Sequence, residues 1–355
     1  MRNPFPLAAL GLVSALAITL ATDASAQMRL LSDGPQVELR DMVARVVVTP
    51  ENRSDVDIRV RYGKAKVPTL MVSHRGNVTV LNGHLNSPVS TSLFNFRINI
   101  NDQTSESQSG TVFIAGMGKV SIADLPLVYI RVPNNAVVKD SSDSYGHINP
   151  SQSLDLIMNG GGDWSVDPVN GPLNVINSGS GNLHITSAGD AIVDNMGSGD
   201  IDLNAVRSLK VSLTGSGSFV SNQSTNTELQ NQGSGDVVLG HVGNIKVQLN
   251  GSGDLSMNSI NGMLMLSNYG SSDVHIGQIG GPVTLDLSGS GDVDIDRGQA
   301  NAFTLSGSGS GDVDFGGIAG TVKIDSNGSG DVSILKATGA VVTKVNGSGE
   351  MHIGH

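Results

Sequence analysis

The chain has 355 residues, including 46 glycines, 12 prolines, few aromatics and no cysteine, and a formal net charge of −11. Its apolar content suffices for a core, but so much glycine is unlike an ordinary enzyme, and without cysteine no disulfide can staple the fold. Residues 27–159 hold 13 Lys plus Arg against 12 Asp plus Glu while residues 160–355 hold 7 against 19, a balance that argues against nucleic acid or an anionic membrane as a charge-driven partner.

Residues 1–26 read as a secretory leader: Arg2 leads, an apolar run extends from Leu7 to Leu20, and Ala24-Ser25-Ala26 forms a small-residue cleavage site. The run barely matches a bilayer, no later stretch is long enough to span one, and no cysteine follows to carry a lipid. The expectation is export to the periplasm, the outer surface or the extracellular space, without membrane insertion, of a chain starting at Gln27.

From residue 27 to about 140 the segments VELRDMVARVVV, DVDIRVRYG, NVTVLNG and LVYIRVP alternate as strands do, with Pro50, Gly63, Gly83 and Pro133 as breakers and a polar run, NDQTSESQSG, at 101–110. This region is read as an irregular β-rich set of N-terminal coils or a cap; a small separate sandwich is the competing arrangement.

Residues 141–355 are repetitive. Aligning the residue that follows each glycine-rich phrase gives Asp163, Asn182, Asp200, Ser218, Asp236, Asp254, Asp273, Asp292, Asp312, Asp331 and Glu350, spaced 18 to 20 apart. Such a period marks a solenoid, whose short unit buries its apolar face only against its neighbours. Within one unit Val237, Leu239, Val242, Ile245, Val247 and Leu249 form the apolar columns, with Lys246 and Gln248 facing out, which implies three short strands per unit. The predicted fold is all-β: a right-handed parallel β-helix of about eleven coils, a rod on the order of 50 Å long at roughly 4.8 Å per coil. Asn177, Asn195, Asn231 and Asn268 stand five residues before the aligned position, where stacked amides could bond from coil to coil or sit exposed in loops. The corner glycines are expected to supply positive φ and close backbone approach.

These stacked GSGD units, preceded by LPLVYIRVPNNAVVKDSSDS, resemble the bacterial auto-transporter adhesin, head GIN domain family. The resemblance implies a right-handed β-helix of pectin-lyase-like shape, no known catalytic residues and a role in adhesion at the cell surface. No membrane barrel is read in these residues, so the resemblance does not extend to self-transport.

The Gly-x-Gly phrases are not phosphate cradles, because a strand and not a helix follows each one. Asp236, Asp254, Asp273, Asp292, Asp312, Asp331 and Glu350 form a carboxylate ladder at one corner. Neighbours about 4.8 Å apart repel by about 1 kcal/mol even in water, so something must offset the charge. Backbone N–H groups of the GSG turns could do so, and so could cations, with Asp292, Asp294, Asp296, Asp312 and Asp314 as the calcium candidates because oxygen-only clusters suit that ion. His184, His275 and His352 share one outward position in separated coils, too far apart to share a metal, and read as solvated. No catalytic and no cofactor-binding residue is assigned. The predicted function is non-catalytic adhesion or binding to an envelope or extracellular polymer or protein, with end-to-end homodimers as a further expectation. A carbohydrate-active β-helix enzyme of polysaccharide-lyase type is the alternative; it would need a base beside acidic ligands, and only Arg297 lies near the aspartate cluster.

Overall fold

The computed structural model describes residues 36–85, 89–91 and 110–355. The leader expected over residues 1–26 lies outside them, as does the polar run at 101–110 except for Gly110. Apart from a short 3-10 turn at Ile122–Asp124, the described secondary structure is β: a solenoid of about twelve parallel turns, and a separate three-stranded antiparallel sheet of Val89–Thr91, Thr111–Ile114 and Gly118–Ser121 in the N-terminal region. The turns beyond the eleven read from the sequence come from the N-terminal region, where coils lack the GSGD phrase. Among the described residues no helix is long and apolar enough to cross a membrane.

One regular coil shows how the sequence builds the rod. Strand Val237–Leu249 wraps three sides of a triangular section, and it pairs in parallel with Phe219–Asn231 on one side and with Leu255–Ile260 and Leu264–Asn268 on the other. Val237 and Leu239 fill the first side, Val242 the short second side, and Ile245, Val247 and Leu249 the third; all six are buried. Alternation with outward Val238, Lys246 and Gln248 gives each strand one dry face. Aromatic side chains also fill the core: Phe303 and Phe315, both buried, stack with ring centroids 5.3 Å apart.

The first described strands do not stack in chain order. Gln36–Arg40 lies between Val78–Asn82 and Asn135–Ser141, parallel to both. Arg45–Glu51 likewise lies between Leu127–Pro133 and Tyr145–Ile148. One N-terminal coil is therefore slotted between strands that follow each other directly at residues 127–141. Beyond it, Asp57–Arg61 and Met71–Arg75 add antiparallel strands, and Val56, Ile58, Val60 and Leu70 pack onto the core. Antiparallel addition ends the parallel ladder and covers its apolar end, the role of a solenoid cap. The described residues all belong to one compact unit.

A buried polar column runs beneath the corner that joins the third side to the next coil. Parallel register puts Asp140, Met158, Asn177, Asn195, Leu213, Asn231, Leu249 and Asn268 in one line. In each asparagine, Oδ1 accepts the N–H two residues on, as in Gly233 N to Asn231 Oδ1 at 3.0 Å, and Nδ2 donates to the carbonyl four residues on, as to Gly235 at 2.9 Å. The amides thus brace their own corner from inside, and only Asn177 to Asn195, at 3.2 Å, adds a bond between coils. Coil-to-coil bonding of amides, one of the two expectations, is met only between Asn177 and Asn195; the other amide bonds run within each corner, whose own N–H and C=O groups are nearer.

Asp140 occupies that column with a carboxylate. Its Oδ1 accepts the N–H and hydroxyl of Ser142, and its Oδ2 accepts Trp164 Nε1–H at 2.8 Å. Gly146 leaves room for the Trp164 ring, which a Cβ there would strike. Burial pushes the Asp140 pKa up to about 7, against the pull of these donors. Such a group keeps a proton in the native state that the unfolded chain has released. Its stabilisation is full below about pH 4 and declines as the pH rises towards 7, by about 1.4 kcal/mol for each pH step within that window.

Two outcomes follow. Asp140→Asn, which cannot ionise, is expected to shrink the loss of thermal stability between pH 4 and 8, with Trp164, the single tryptophan, as the fluorescent reporter. Some slope should remain, because burial also raises Asp143 and Asp163; an unchanged slope would exonerate Asp140. Separately, Val247→Asp should cost at least about 3 kcal/mol by placing an unpaired charge in the core, and Lys246→Asp less than about 1 kcal/mol. Limited proteolysis and urea midpoints compare the two, and equal stability would reverse the inside–outside assignment.

Candidate functional site

The corner that carries the GSGD phrase is set by how closely backbones stack there. A Cβ on Gly253 would collide with the carbonyl oxygen of Gly235 one coil below, and Gly251 stands in the same relation to Gly233. The expectation of positive φ is corrected: among the described glycines positive φ occurs at Gly76, Gly110, Gly116, Gly118 and Gly298, none of them in a repeat corner. Close approach, and not φ, is what favours glycine at these corners, with Ser272, buried in the second glycine's place, as the exception. The serine between the glycines points outward, and the acidic residue follows as the chain enters the first side.

The carboxylate ladder is built on backbone donors. Asp254 N–H donates to Asp236 Oδ1 at 3.0 Å, Asp273 to Asp254 and Asp292 to Asp273 at 2.9 Å, Asp312 to Asp292 at 2.8 Å, and Asp331 and Glu350 to their predecessors at 2.7 Å. The donor is the N–H of the next ladder residue, not one within the GSG turn. The same bond runs from Asn182 to Asp163, from Asp200 to Asn182 and from Ser218 to Asp200. A carboxylate accepting a backbone N–H is a charge-assisted bond, stronger than a neutral one, and it leaves the second oxygen towards solvent.

Two residues along, on the outward face of the first side, a second column reads His147, Ser165, His184, Asp202, Val220, Val238, Ser256, His275, Asp294, Asp314, Ser333 and His352. Between the two columns runs a shallow groove of about 420 Å³ whose lining includes Asp236, Asp254, Asp273, Asp292, His275 and Asp294. On the third side a second groove, of about 580 Å³, is lined by side chains of both signs, among them Lys210, Glu228 and Lys246. Both are open troughs along the rod.

The five calcium candidates are divided between these columns. Asp292 and Asp312 belong to the ladder, each with one oxygen committed to a backbone N–H. Asp294 and Asp314 are register partners in the outer column. Asp296 lies by His275: its Oδ2 is 3.6 Å from His275 Nε2, while Asp294 Oδ2 is 3.4 Å from His275 Nδ1. Among the described residues His275, Asp294 and Asp296 are the group of three whose ligand-type atoms lie within 4.8 Å of one another. The solvated-histidine reading missed this grouping by comparing His275 with the distant His184 and His352; its signal was the offset of nineteen that places Asp294 directly above it.

A Ser–His–Asp arrangement also emerges, unseen in the sequence because it is assembled by register. His147 Nδ1 is 2.8 Å from Ser165 Oγ, and His147 Nε2 is 3.4 Å from Asp167 Oδ2. Ser165 is buried, and its strand is paired on both sides, to Tyr145–Ile148 and to Leu183–Asn195, so its backbone N–H groups are spent in the sheet. A nucleophile there has neither open access nor nearby donors for an oxyanion. The next histidine up the column, His184, binds Asp202 Oδ2 at 3.0 Å, and this bond raises its pKa. Both are polar rungs of the column.

Residues 247–354 match the family described as "Putative auto-transporter adhesin, head GIN domain". That segment holds the ladder from Asp254 to Glu350 and the whole His275 group. No curated protein and no solved structure matches the chain.

Ladder chemistry is tested at Asp273. Asp273→Asn keeps the acceptor for Asp292 N–H and removes one charge from a repelling row, so its urea midpoint at low salt should equal or exceed that of the parent. Asp273→Ala removes the acceptor and should cost about 1 kcal/mol. If asparagine is as harmful as alanine, the charge itself is needed and a bound cation replaces the backbone bond as the account of the ladder.

Proposed function

We propose that this chain is an exported, non-catalytic binding solenoid that works in adhesion at the cell surface or in the envelope. The observation that carries the reading is the match of residues 247–354 to a head domain described as an adhesin. It coincides with the stretch of rod where an acidic ladder and an outer column flank an open groove. Long troughs with fixed rung spacing suit an extended polymer or a protein edge, and they lack the enclosure by which enzymes exclude water and hold a small substrate. The polysaccharide-lyase alternative finds little support in the groove: the side chains that line it are acidic, apolar, serine or histidine, with no Lys or Arg as the strong base.

Purified protein applied to immobilised envelope and extracellular polymers, together with fractionation and surface labelling of the producing cell, tests this reading. Saturable binding without product release, and label outside the cytoplasm, is the expected result. Release of unsaturated or reducing sugar ends from any polymer would replace it with the enzyme alternative, and an exclusively cytoplasmic location would end the export reading. A variant carrying Asp236→Asn, Asp254→Asn and Asp273→Asn keeps the backbone acceptors but removes three charges from the groove; it should bind at least about tenfold more weakly if this face makes the contact.

A further inference from the structure

We infer that His275, Asp294 and Asp296 form a binding site for a divalent transition-metal ion, with zinc as the representative probe. The imidazole of His275 is set between two carboxylates without a hydrogen bond to either. Its ring nitrogens lie 3.4 Å from Asp294 Oδ2 and 3.6 Å from Asp296 Oδ2. Hydrogen bonds between such groups are about 2.7–3.2 Å long. Two ligands bound at about 2.0–2.1 Å to a tetrahedral ion stand about 3.3–3.4 Å apart.

The same column supplies an internal control. His184 also faces the aspartate of the next coil, and there the pair closes to 3.0 Å as an ordinary hydrogen bond. His275 has the same neighbour in register, Asp294, and a second carboxylate, Asp296, two residues further on. It closes on neither.

Two of the three groups stand on strands whose other side chains are in the core. His275 is central in strand Val274–Ile276 and Asp294 is central in strand Val293–Ile295, and the flanking side chains of both strands are buried. The core thus fixes the backbone under His275 and Asp294, Asp296 follows one residue past the strand's end, and the three exposed side chains adjust around an ion through their torsions. The surroundings favour a cation, because ladder members Asp273 and Asp292 line the adjoining groove and Asp314 pairs with Asp294 from above. Mixed imidazole and carboxylate donors select zinc and its first-row neighbours over calcium, which prefers six to eight oxygens. Three protein ligands leave a zinc ion a position for water or for an oxygen donor from outside. This site stands independently of the adhesion reading.

Isothermal titration of the purified, chelator-treated protein with zinc chloride tests it, with cobalt(II) as a spectroscopic partner. One equivalent of zinc should bind, and cobalt should develop visible d–d bands of a four- or five-coordinate ion. His275→Ala and Asp296→Asn should each weaken binding at least tenfold, whereas Asp200→Asn, four coils below the cluster and outside that groove, should leave it within twofold. Circular dichroism of each variant checks that the coil is intact, and His275→Asn offers a milder replacement if alanine disturbs it. Three results would overturn the proposal: no saturable site, calcium binding as tightly as zinc, or weak multiple binding indifferent to His275. The last would mean counterion condensation on the ladder.

Discussion

Everything distinctive in this molecule depends on how closely successive backbones approach at the GSG corner. There the chain turns within a few residues and stacks on its own copy one coil below, so near that a single Cβ on Gly253 would meet the carbonyl oxygen of Gly235. Two glycines relieve that clash in most corners, Ser272 replacing the second in one of them, and the register they impose carries round the coil. Columns then arise without being specified one by one: apolar residues stack inside, asparagines brace the corner from beneath, and carboxylates line its rim. The ladder is a consequence of the same geometry, since each aspartate stands where the next coil's N–H points at it. Like charges in a row are tolerated because each from Asp236 to Asp331 has a fixed donor and an oxygen facing water.

The buried column under the corner shows one structural need met in several ways. A turn whose N–H and C=O groups face the core requires an internal partner, and Asn177, Asn195, Asn231 and Asn268 supply donor and acceptor together. Where leucine stands in that line, at Leu213 and Leu249, the inside of the corner is apolar instead. Asp140 is the costly member, a carboxylate with acceptor capacity but no donor of its own when ionised. Trp164 and Ser142 supply the donors it needs. Its raised pKa records the remaining mismatch between a charge and a dry site.

The repeat was legible because a solenoid writes its register into the period of its sequence. Columns such as Val237, Val293 and Val313 could be aligned by eye, and their burial agrees with the alternation. The corner glycines were legible as a requirement but not as a cause, since positive φ and steric exclusion demand the same residue. The order of the N-terminal strands was not legible at all. Nothing local in VELRDMVARVVV says that it will sit between Leu127–Pro133 and Asn135–Ser141, because parallel partners are chosen by which edges remain open and not by pattern. The same limit hid Ser165 beside His147 and His275 beside Asp296: each pair depends on register between coils and on a side chain leaning along the strand. The leader and the polar run fall outside the described residues, so the fold adds nothing to either.

A rod of this kind presents its chemistry as lines. Single rungs bind weakly, since an exposed carboxylate or imidazole gains little against water. A partner long enough to touch several rungs gains each further contact intramolecularly, at an effective concentration that rigid spacing keeps high. This is why the breaks in the columns matter as much as the rungs. In the outer column Val220, Val238 and Ser256 separate the His184–Asp202 pair from the His275, Asp294 and Asp314 run. Acidic corners continue alongside without interruption from Asp236 onward. The face is therefore uniform in charge along one edge and segmented in donor type along the other. For the proposed polymer ligand the ladder would present an even potential, and register would come from the second column, where His275, Asp294 and Asp314 stand between Ser256 and Ser333.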